Sequence, residues 1–193
     1  MLSVILVPDI VVFSFWHGIR SLPVDQCDRP YMDASLYALA EQVGQLLLRH
    51  RIQLATAESC TGGWIAEAIT AVPGSSQWFE RGFVTYSNEA KQDMLGVAAD
   101  DLATHGAVSE PVVKAMAQGA ITRSRAHLSI AVSGIAGPDG GTADKPVGLV
   151  WIAWGQKRGY VEARACRFSG DREAIRRATV ETALAGLVER LSA

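Results

Sequence analysis

One stretch decides the fold of this chain: Ile52-Gln53-Leu54-Ala55-Thr56-Ala57-Glu58-Ser59-Cys60-Thr61-Gly62-Gly63. Its apolar first half predicts a short buried strand, and a helical pattern starts directly after it, at Trp64. The glycine pair predicts a tight turn between the two elements, because glycine adopts backbone angles that other residues avoid. A strand that feeds a helix in this way is typical of α/β proteins.

The same alternation of elements continues on both sides of this stretch. Predicted helices cover residues 33–49, 88–95, 110–123 and 172–191, and predicted strands cover 82–86, 128–132, 147–154 and 160–168. Asp33, Ser87 and Ser109 are predicted to cap three of the helices. The last two strands are separated by a short connection, so they form an antiparallel hairpin. We therefore expect a single α/β domain with three layers, α/β/α, around a mixed parallel and antiparallel sheet.

Composition restricts the class of protein before any motif is considered. The chain has 193 residues, of which 49% are hydrophobic and 20% charged, which is enough apolar material for one buried core. A net charge of −2 argues against a nucleic-acid coat, which needs a basic stripe. The three cysteines have irregular spacing, which indicates a reducing, cytoplasmic location rather than a disulfide framework. The scattered histidines and cysteines show no metal-ligand spacing, and we expect neither a metal nor a cofactor.

Residues 1–31 differ from the rest of the chain. The apolar run within residues 4–16 is shorter than the ~20 residues that span a bilayer, so we expect no membrane segment. It also lacks the basic start and cleavage site of a secretory signal. We interpret residues 1–31 as an N-terminal extension, non-native or loosely ordered, and residues 32–193 as the domain. A packed extra strand or a partner-binding arm is the alternative.

The turn after the first strand holds a candidate nucleophile, Ser59. The amides of Thr61, Gly62 and Gly63 open the next helix and are predicted to bind an anion or a developing oxyanion. The plainer interpretation is a helix cap made by Ser59 or Thr61. Cys60 is a rival nucleophile, because a helix N-terminus lowers the pKa of a thiol.

Tyr86 and Lys91 form a second candidate pair. Tyr86 ends a predicted strand, and Lys91 lies in the first turns of the following helix. The positive end of that helix, together with burial, would lower the pKa of Lys91 and make it a neutral base for a serine. Tyr86 would relay or orient the proton. The alternative is a solvated lysine and a core tyrosine.

Two later segments are candidates for substrate binding. The glycine-rich loop that runs from Ser133 through Gly134 and Gly137 to Gly141 leaves the end of a buried strand, where α/β sheets bind ligands. It matches no generic nucleotide motif, and an ordinary surface turn is the alternative. Arg172 opens the last helix, where a guanidinium can hold a phosphate, unless it is a solvated arginine at a helix cap.

Five ordered motifs together resemble a known family, the C-terminal domain of the competence-damage-inducible CinA proteins, over about residues 33–191. They are Thr56-Ala57-Glu58-Ser59-Cys60-Thr61-Gly62-Gly63, Gly82-Phe83-Val84-Thr85-Tyr86-Ser87-Asn88-Glu89-Ala90-Lys91, Gly106-Ala107-Val108-Ser109-Glu110, Ser133-Gly134-Ile135-Ala136-Gly137-Pro138-Asp139-Gly140-Gly141 and Lys145-Pro146-Val147-Gly148.

The resemblance implies an activity and places its machinery. Standalone members are nicotinamide-nucleotide amidases, which convert nicotinamide mononucleotide to nicotinate mononucleotide and ammonia in pyridine-nucleotide salvage, without a metal. The family's Ser/Lys/Tyr machinery would fall on Ser59, Lys91 and Tyr86, and its substrate contacts on Ser133 and Arg172. The partners expected are a small-molecule substrate and further copies of the chain, with no nucleic acid and no membrane. A non-catalytic nucleotide-binding or competence-linked interaction module, or an amidase that uses Cys60, are the alternatives.

Overall fold

The computed structural model describes residues 5–7, 10–12 and 33–192. The chain divides into two units, residues 1–31 and 32–193. In the first unit, strands β1 (Ile5–Val7) and β2 (Ile10–Val12) pair antiparallel. The rest of the predicted N-terminal extension lies outside the described residues, and its interpretation stays a prediction.

Residues 33–192 form one α/β unit. Its helices are α1 (Ala34–His50), α2 (Trp64–Thr70), α3 (Asn88–Leu95), α4 (Ala99–His105), α5 (Glu110–Thr122) and α6 (Arg172–Ser192). Its strands are β3 (Leu54–Glu58), β4 (Phe79–Val84), β5 (Leu128–Gly134), β6 (Leu149–Gln156) and β7 (Val161–Arg167).

The five strands form one mixed sheet in the order β4-β3-β5-β6-β7. Strand β3 pairs parallel with β4 and β5, whereas β5, β6 and β7 pair antiparallel. This confirms the predicted mixed sheet and the predicted hairpin. All five residues of β3 are buried. The carboxyl ends of β3, β4 and β5 meet at one edge of the sheet, the edge at which ligands bind in such folds.

Helices cover both faces of the sheet, which confirms the three-layer prediction. Side chains alternate along β3: Leu54 joins a hydrophobic cluster with α1, α2 and α6, whereas Ala55 and Ala57 join a second cluster with α3, α4 and α5. In each cluster the apolar faces of the helices pack against one face of the sheet. This packing fixes the positions of the helix ends that lie near the carboxyl ends of β3, β4 and β5.

The local signals predicted most elements, with four differences beyond shifts of one or two residues. Strand β4 covers Phe79–Val84 instead of the predicted 82–86, so Tyr86 follows the strand and does not end it. Helix α4 was not predicted, because it buries a single apolar side chain, Leu102, and Ala98 at its N-cap forms no side-chain cap. Ser133 and Gly134 are the last residues of β5 rather than part of a loop. Ser109 occupies the N-cap of α5, but its hydroxyl donates to the Gly106 carbonyl instead of capping.

Candidate active site

Ser59 lies directly beyond the carboxyl end of β3. Its amide donates to the Val132 carbonyl of β5 at 3.1 Å, and its carbonyl accepts the Gly62 amide at 3.0 Å. Gly62 and Gly63 have φ of +64° and +100°, so the turn needs glycine at both positions, as predicted. Ser59 is 9% exposed. The turn therefore holds its backbone rigidly between two strands and a helix.

Glu58, which the sequence reasoning missed, occupies the N-terminus of α2. Its carboxyl oxygens accept the Thr61 hydroxyl at 2.6 Å and the amides of Gly63, Ile65 and Ala66 at 2.9–3.1 Å. The side chain is fully buried. Its position could have been found from the sequence, because an acidic residue just before a helix complements the helix dipole.

This corrects the predicted anion-binding role for two of the three amides of the turn, those of Gly62 and Gly63. The Gly62 amide is bonded to the Ser59 carbonyl and the Gly63 amide to Glu58, so neither remains for a substrate anion. The Thr61 hydroxyl is likewise bonded to Glu58. The anion-binding end of α2 is filled by the protein's own carboxyl group.

Lys91 is the fourth residue of α3, and its side chain reaches back under the Ser59 turn. Its Nζ lies 3.1 Å from Ser59 Oγ and donates to the Thr85 carbonyl at 2.8 Å. The Tyr86 and Ser87 carbonyls lie 3.4 Å from the same nitrogen. Lys91 is 1% exposed, so the alternative of a solvated lysine is wrong.

Burial lowers the pKa of Lys91 below the 10.5 of an ordinary lysine, while Cys60 and Glu89 oppose this shift. The direction follows from desolvation, which disfavours the ammonium form. A neutral Lys91 has two N–H groups for carbonyls and one lone pair. That lone pair can accept the Ser59 hydroxyl, which is the geometry of a nucleophile and its base.

Tyr86 follows β4 and lies at the mouth of the site. Its hydroxyl accepts a hydrogen bond from Arg172 Nη2 at 2.9 Å, and the side chain is 62% exposed. The expected proton relay to Lys91 is not what the geometry shows, because only the backbone carbonyl of Tyr86 faces that lysine. The phenol points outward, away from the chain's interior.

Arg172 connects this mouth to the glycine-rich loop. Its Nη1 donates to the Gly137 carbonyl at 2.8 Å, while its Nη2 holds Tyr86. Ser133 lies at the end of β5, and its hydroxyl donates to the Ala107 carbonyl at 2.7 Å. Three segments that are distant in the sequence therefore meet around one opening.

A cavity of about 230 Å³ lies between these side chains. It is lined by Ser59, Cys60, Tyr86, Asn88, Lys91, Ala107, Val108, Ser133, Gly134, Ala136 and Arg172. Of the predicted site residues, Thr61, Gly62, Gly63 and Gly137 lie outside this lining. Asn88, Ala107 and Val108 line the cavity although no role was predicted for them, and only their places in the resembling motifs marked them.

Cys60 also borders the cavity. Burial raises the pKa of its thiol to about 11, and the helix N-terminus that would lower it is occupied by Glu58. The thiolate is the nucleophilic form, so this shift disfavours Cys60 as a nucleophile at neutral pH.

Within residues 5–7, 10–12 and 33–192, no group of three or more His, Cys, Asp or Glu side chains could hold a metal ion. No helix there has both the length and the apolar character needed to cross a bilayer.

The fold and the site together define an α/β protein with a buried serine–lysine pair in a cavity at the sheet edge. A model of the family described as "CinA C-terminal domain" matches residues 36–191. The chain belongs to the CinA C-terminal domain family.

Named relatives support this assignment. The chain is 57% identical over 152 residues to the nicotinamide-nucleotide amidohydrolase PncC of Escherichia coli K12, which covers 79% of this chain and 92% of that protein. The PncC protein of Pseudomonas putida is also 57% identical, over 78% of this chain and 94% of its own length.

A solved structure has the same fold. The competence/damage inducible protein CihA of Agrobacterium tumefaciens superposes with a TM-score of 0.82 at 46% identity, covering 86% of this chain and all of that one. The similarity extends over most of both chains.

Proposed function

We propose that the chain hydrolyses the carboxamide of nicotinamide mononucleotide to nicotinate mononucleotide and ammonia, as an amidase of pyridine-nucleotide salvage. One observation carries the proposal: Lys91 Nζ lies 3.1 Å from Ser59 Oγ, and both groups border a cavity that an amide can enter. The names of relatives at 57% identity supply the substrate. A cytoplasmic homo-oligomer, as the family resemblance implies, is part of the same proposal.

The chemistry uses one nucleophile and one base. Neutral Lys91 takes the hydroxyl proton of Ser59 as Ser59 Oγ attacks the amide carbon. The tetrahedral intermediate breaks its C–N bond, and ammonia leaves with the proton that Lys91 returns. Water then attacks the ester carbon, Lys91 takes its proton, and the acid and the Ser59 hydroxyl are released. One amide and one water give one carboxylate and one ammonium ion.

The turn offers two amides for the oxyanion of the intermediate. Among the described residues, no oxygen accepts a hydrogen bond from the amide of Cys60 or of Thr61. The Cys60 amide directly follows the nucleophile, a position that donates to the oxyanion in other strand–turn–helix nucleophile sites. Each such donor lowers the barrier by about 3–4 kcal/mol.

The mouth of the cavity fits the remainder of the substrate. Arg172, for which the sequence predicted a phosphate contact, can offer guanidinium N–H groups to the phosphate. The ring of the substrate is a pyridinium cation, and the exposed phenol of Tyr86 can stack on it. A cation bound beside Lys91 also disfavours its ammonium form, so the substrate helps to keep the base neutral.

Ammonia release from nicotinamide mononucleotide by the purified protein tests the proposal, with Ser59→Ala and Cys60→Ala as a matched pair of neighbouring substitutions. We expect the native protein and Cys60→Ala to release ammonia and Ser59→Ala to lose it while still binding the nucleotide. A folded native protein that binds the nucleotide but releases no ammonia between pH 6 and about pH 9.5 would instead be a binding module. Loss in Cys60→Ala alone would assign the thiol as nucleophile.

A further inference from the structure

A second arginine of α6 lies behind the turn that carries Ser59. Arg176 Nε donates to the Cys60 carbonyl at 3.1 Å, and its Nη2 donates to the Thr61 carbonyl at 2.7 Å. The guanidinium also lies over the Trp64 ring, 5.1 Å from its centroid. Arg176 is not among the residues that line the cavity, whereas Arg172, one helical turn earlier, is.

These contacts determine where the two proposed oxyanion donors point. In a trans peptide the carbonyl and the N–H point in opposite directions. The Cys60 carbonyl is turned toward Arg176, so the Thr61 N–H of the same peptide is turned away from it. The Ser59 carbonyl is held by the Gly62 amide, which fixes the Cys60 N–H in the same way.

Glu58 and Arg176 hold the turn by opposite means. Glu58 accepts from the amides at the start of α2, whereas Arg176 donates to the carbonyls that precede them. Only a planar fork with several donors can hold two neighbouring carbonyls while stacked on an aromatic ring, and a lysine ammonium cannot reproduce that arrangement. The residue type at position 176 is therefore matched to this geometry.

We propose that Arg176 is a positioning residue of the hydrolysis. Its bond to the Cys60 carbonyl preorganises the Thr61 amide for the oxyanion, and its bond to the Thr61 carbonyl keeps the Gly62 amide on the Ser59 carbonyl, which in turn orients the Cys60 amide. The inference rests on the proposed function for its substrate. It predicts that Arg176 acts on the transition state and not on substrate binding, because its partners are backbone carbonyls behind the nucleophile.

The test compares Arg176→Gln and Arg176→Lys with Arg177→Gln. Arg177 is the next residue of α6 and pairs with Asp33 and Glu181, away from the turn, so its substitution controls for general damage to the helix. We expect Arg176→Gln to lower kcat by about 10- to 100-fold with KM changed by less than about threefold. Arg176→Lys recovers only part of kcat, and Arg177→Gln keeps both constants. The acid limb of the pH–rate profile, which reports Lys91, keeps its midpoint in all three variants.

A second measurement does not depend on the identity of the substrate. The rate at which a fluorophosphonate labels Ser59 requires an activated hydroxyl and oxyanion donors, so we expect the same slowing in Arg176→Gln. Denaturant unfolding shows that each variant is folded. If the native protein labels but releases no ammonia, the proposed substrate is wrong, and labelling alone still decides the role of Arg176.

Four outcomes would overturn the inference. Unchanged kcat and labelling in Arg176→Gln would show that the turn needs no such support. A raised KM at constant kcat would make Arg176 a substrate contact. An equal loss in Arg177→Gln would indicate a general effect on α6. A native protein that neither labels nor releases ammonia would end both proposals.

Discussion

The floor and the mouth of the cavity are built differently. At the floor, Ser59 and Lys91 are almost inaccessible, and Lys91 is held by backbone carbonyls of the protein. At the mouth, Tyr86 and Arg172 are exposed and bonded to each other, and Arg172 also donates to the Gly137 carbonyl. Desolvation, which makes a lysine a base, acts only at the floor. Tyr86 and Arg172, which would contact the charged groups of a substrate, lie at the solvent-exposed entrance of the cavity.

The largest effect is expected from Lys91→Met, which removes the base and leaves the mouth unchanged. Without a proton acceptor beside Ser59, kcat should fall by about 10⁴-fold, while the affinity for nicotinamide mononucleotide stays nearly constant. Ammonia release and calorimetric titration measure the two quantities. Equal loss of affinity and rate would show that floor and mouth are not separate.

Glu58→Gln breaks the support of the floor. The glutamine amide nitrogen would face backbone N–H groups that now donate to the carboxyl oxygens, so we expect a loss of about 3 kcal/mol in the free energy of unfolding. Denaturant unfolding measures it. The control is Glu67→Gln, an exposed position in α2, the helix whose first amides donate to Glu58, and it is expected within about 0.5 kcal/mol of native. Similar stability of both variants would contradict the structural role of Glu58.

Arg172→Gln tests the mouth. Losing a charge-assisted contact with phosphate should raise KM for the mononucleotide by about 10- to 100-fold, with kcat changed little. Nicotinamide riboside, which has no phosphate, provides the control, since native and variant should then behave alike.

Tyr86→Phe should change kcat by less than about threefold, because its hydroxyl contacts Arg172 and not the serine–lysine pair. A large loss of kcat in Tyr86→Phe would restore the proton-relay interpretation.

The smallest of these expected effects concerns the pH dependence of the rate. Lys91 cannot take a proton while it is charged, so activity falls as the pH drops through its pKa. Since burial lowers that pKa, the limb lies below 10.5. The limb in kcat should lie lower still than the limb in kcat/KM, because the bound pyridinium disfavours the ammonium form. A limb at or above the value of a free lysine would argue against a desolvated base.

Local patterns were sufficient for the elements that carry their own signals. The N-caps Asp33 and Ser87 and the periodic apolar residues of α1 located those helices, and both caps accept the expected backbone amides. Helix α4 has no comparable pattern, so it was missed. The resemblance also named Ser59 and Lys91 as partners, and the parallel pairing of β3 and β4 explains how residues 32 positions apart come to lie side by side.

The contacts that support the site were not visible in the sequence. Arg176 reaches the turn from 116 residues away, and no local pattern marks one arginine of α6 over its neighbours. The proton-relay role of Tyr86 was predicted from its position five residues before Lys91, but the direction of a side chain just past a strand depends on packing. The sequence thus located the serine–lysine pair, whereas the contacts that support this pair were found only in the structure.

The hydroxyl of Ser133 has one hydrogen, which it donates in a hydrogen bond to the Ala107 carbonyl. Toward the cavity this side chain can therefore offer only lone pairs. A carboxamide nitrogen has hydrogens that can be donated to these lone pairs. The carboxylate formed by hydrolysis has no hydrogen to donate, and its oxygens are repelled by the Ser133 lone pairs. We expect the enzyme to bind the product acid more weakly than the substrate amide. Accumulated nicotinate mononucleotide should therefore inhibit turnover only weakly.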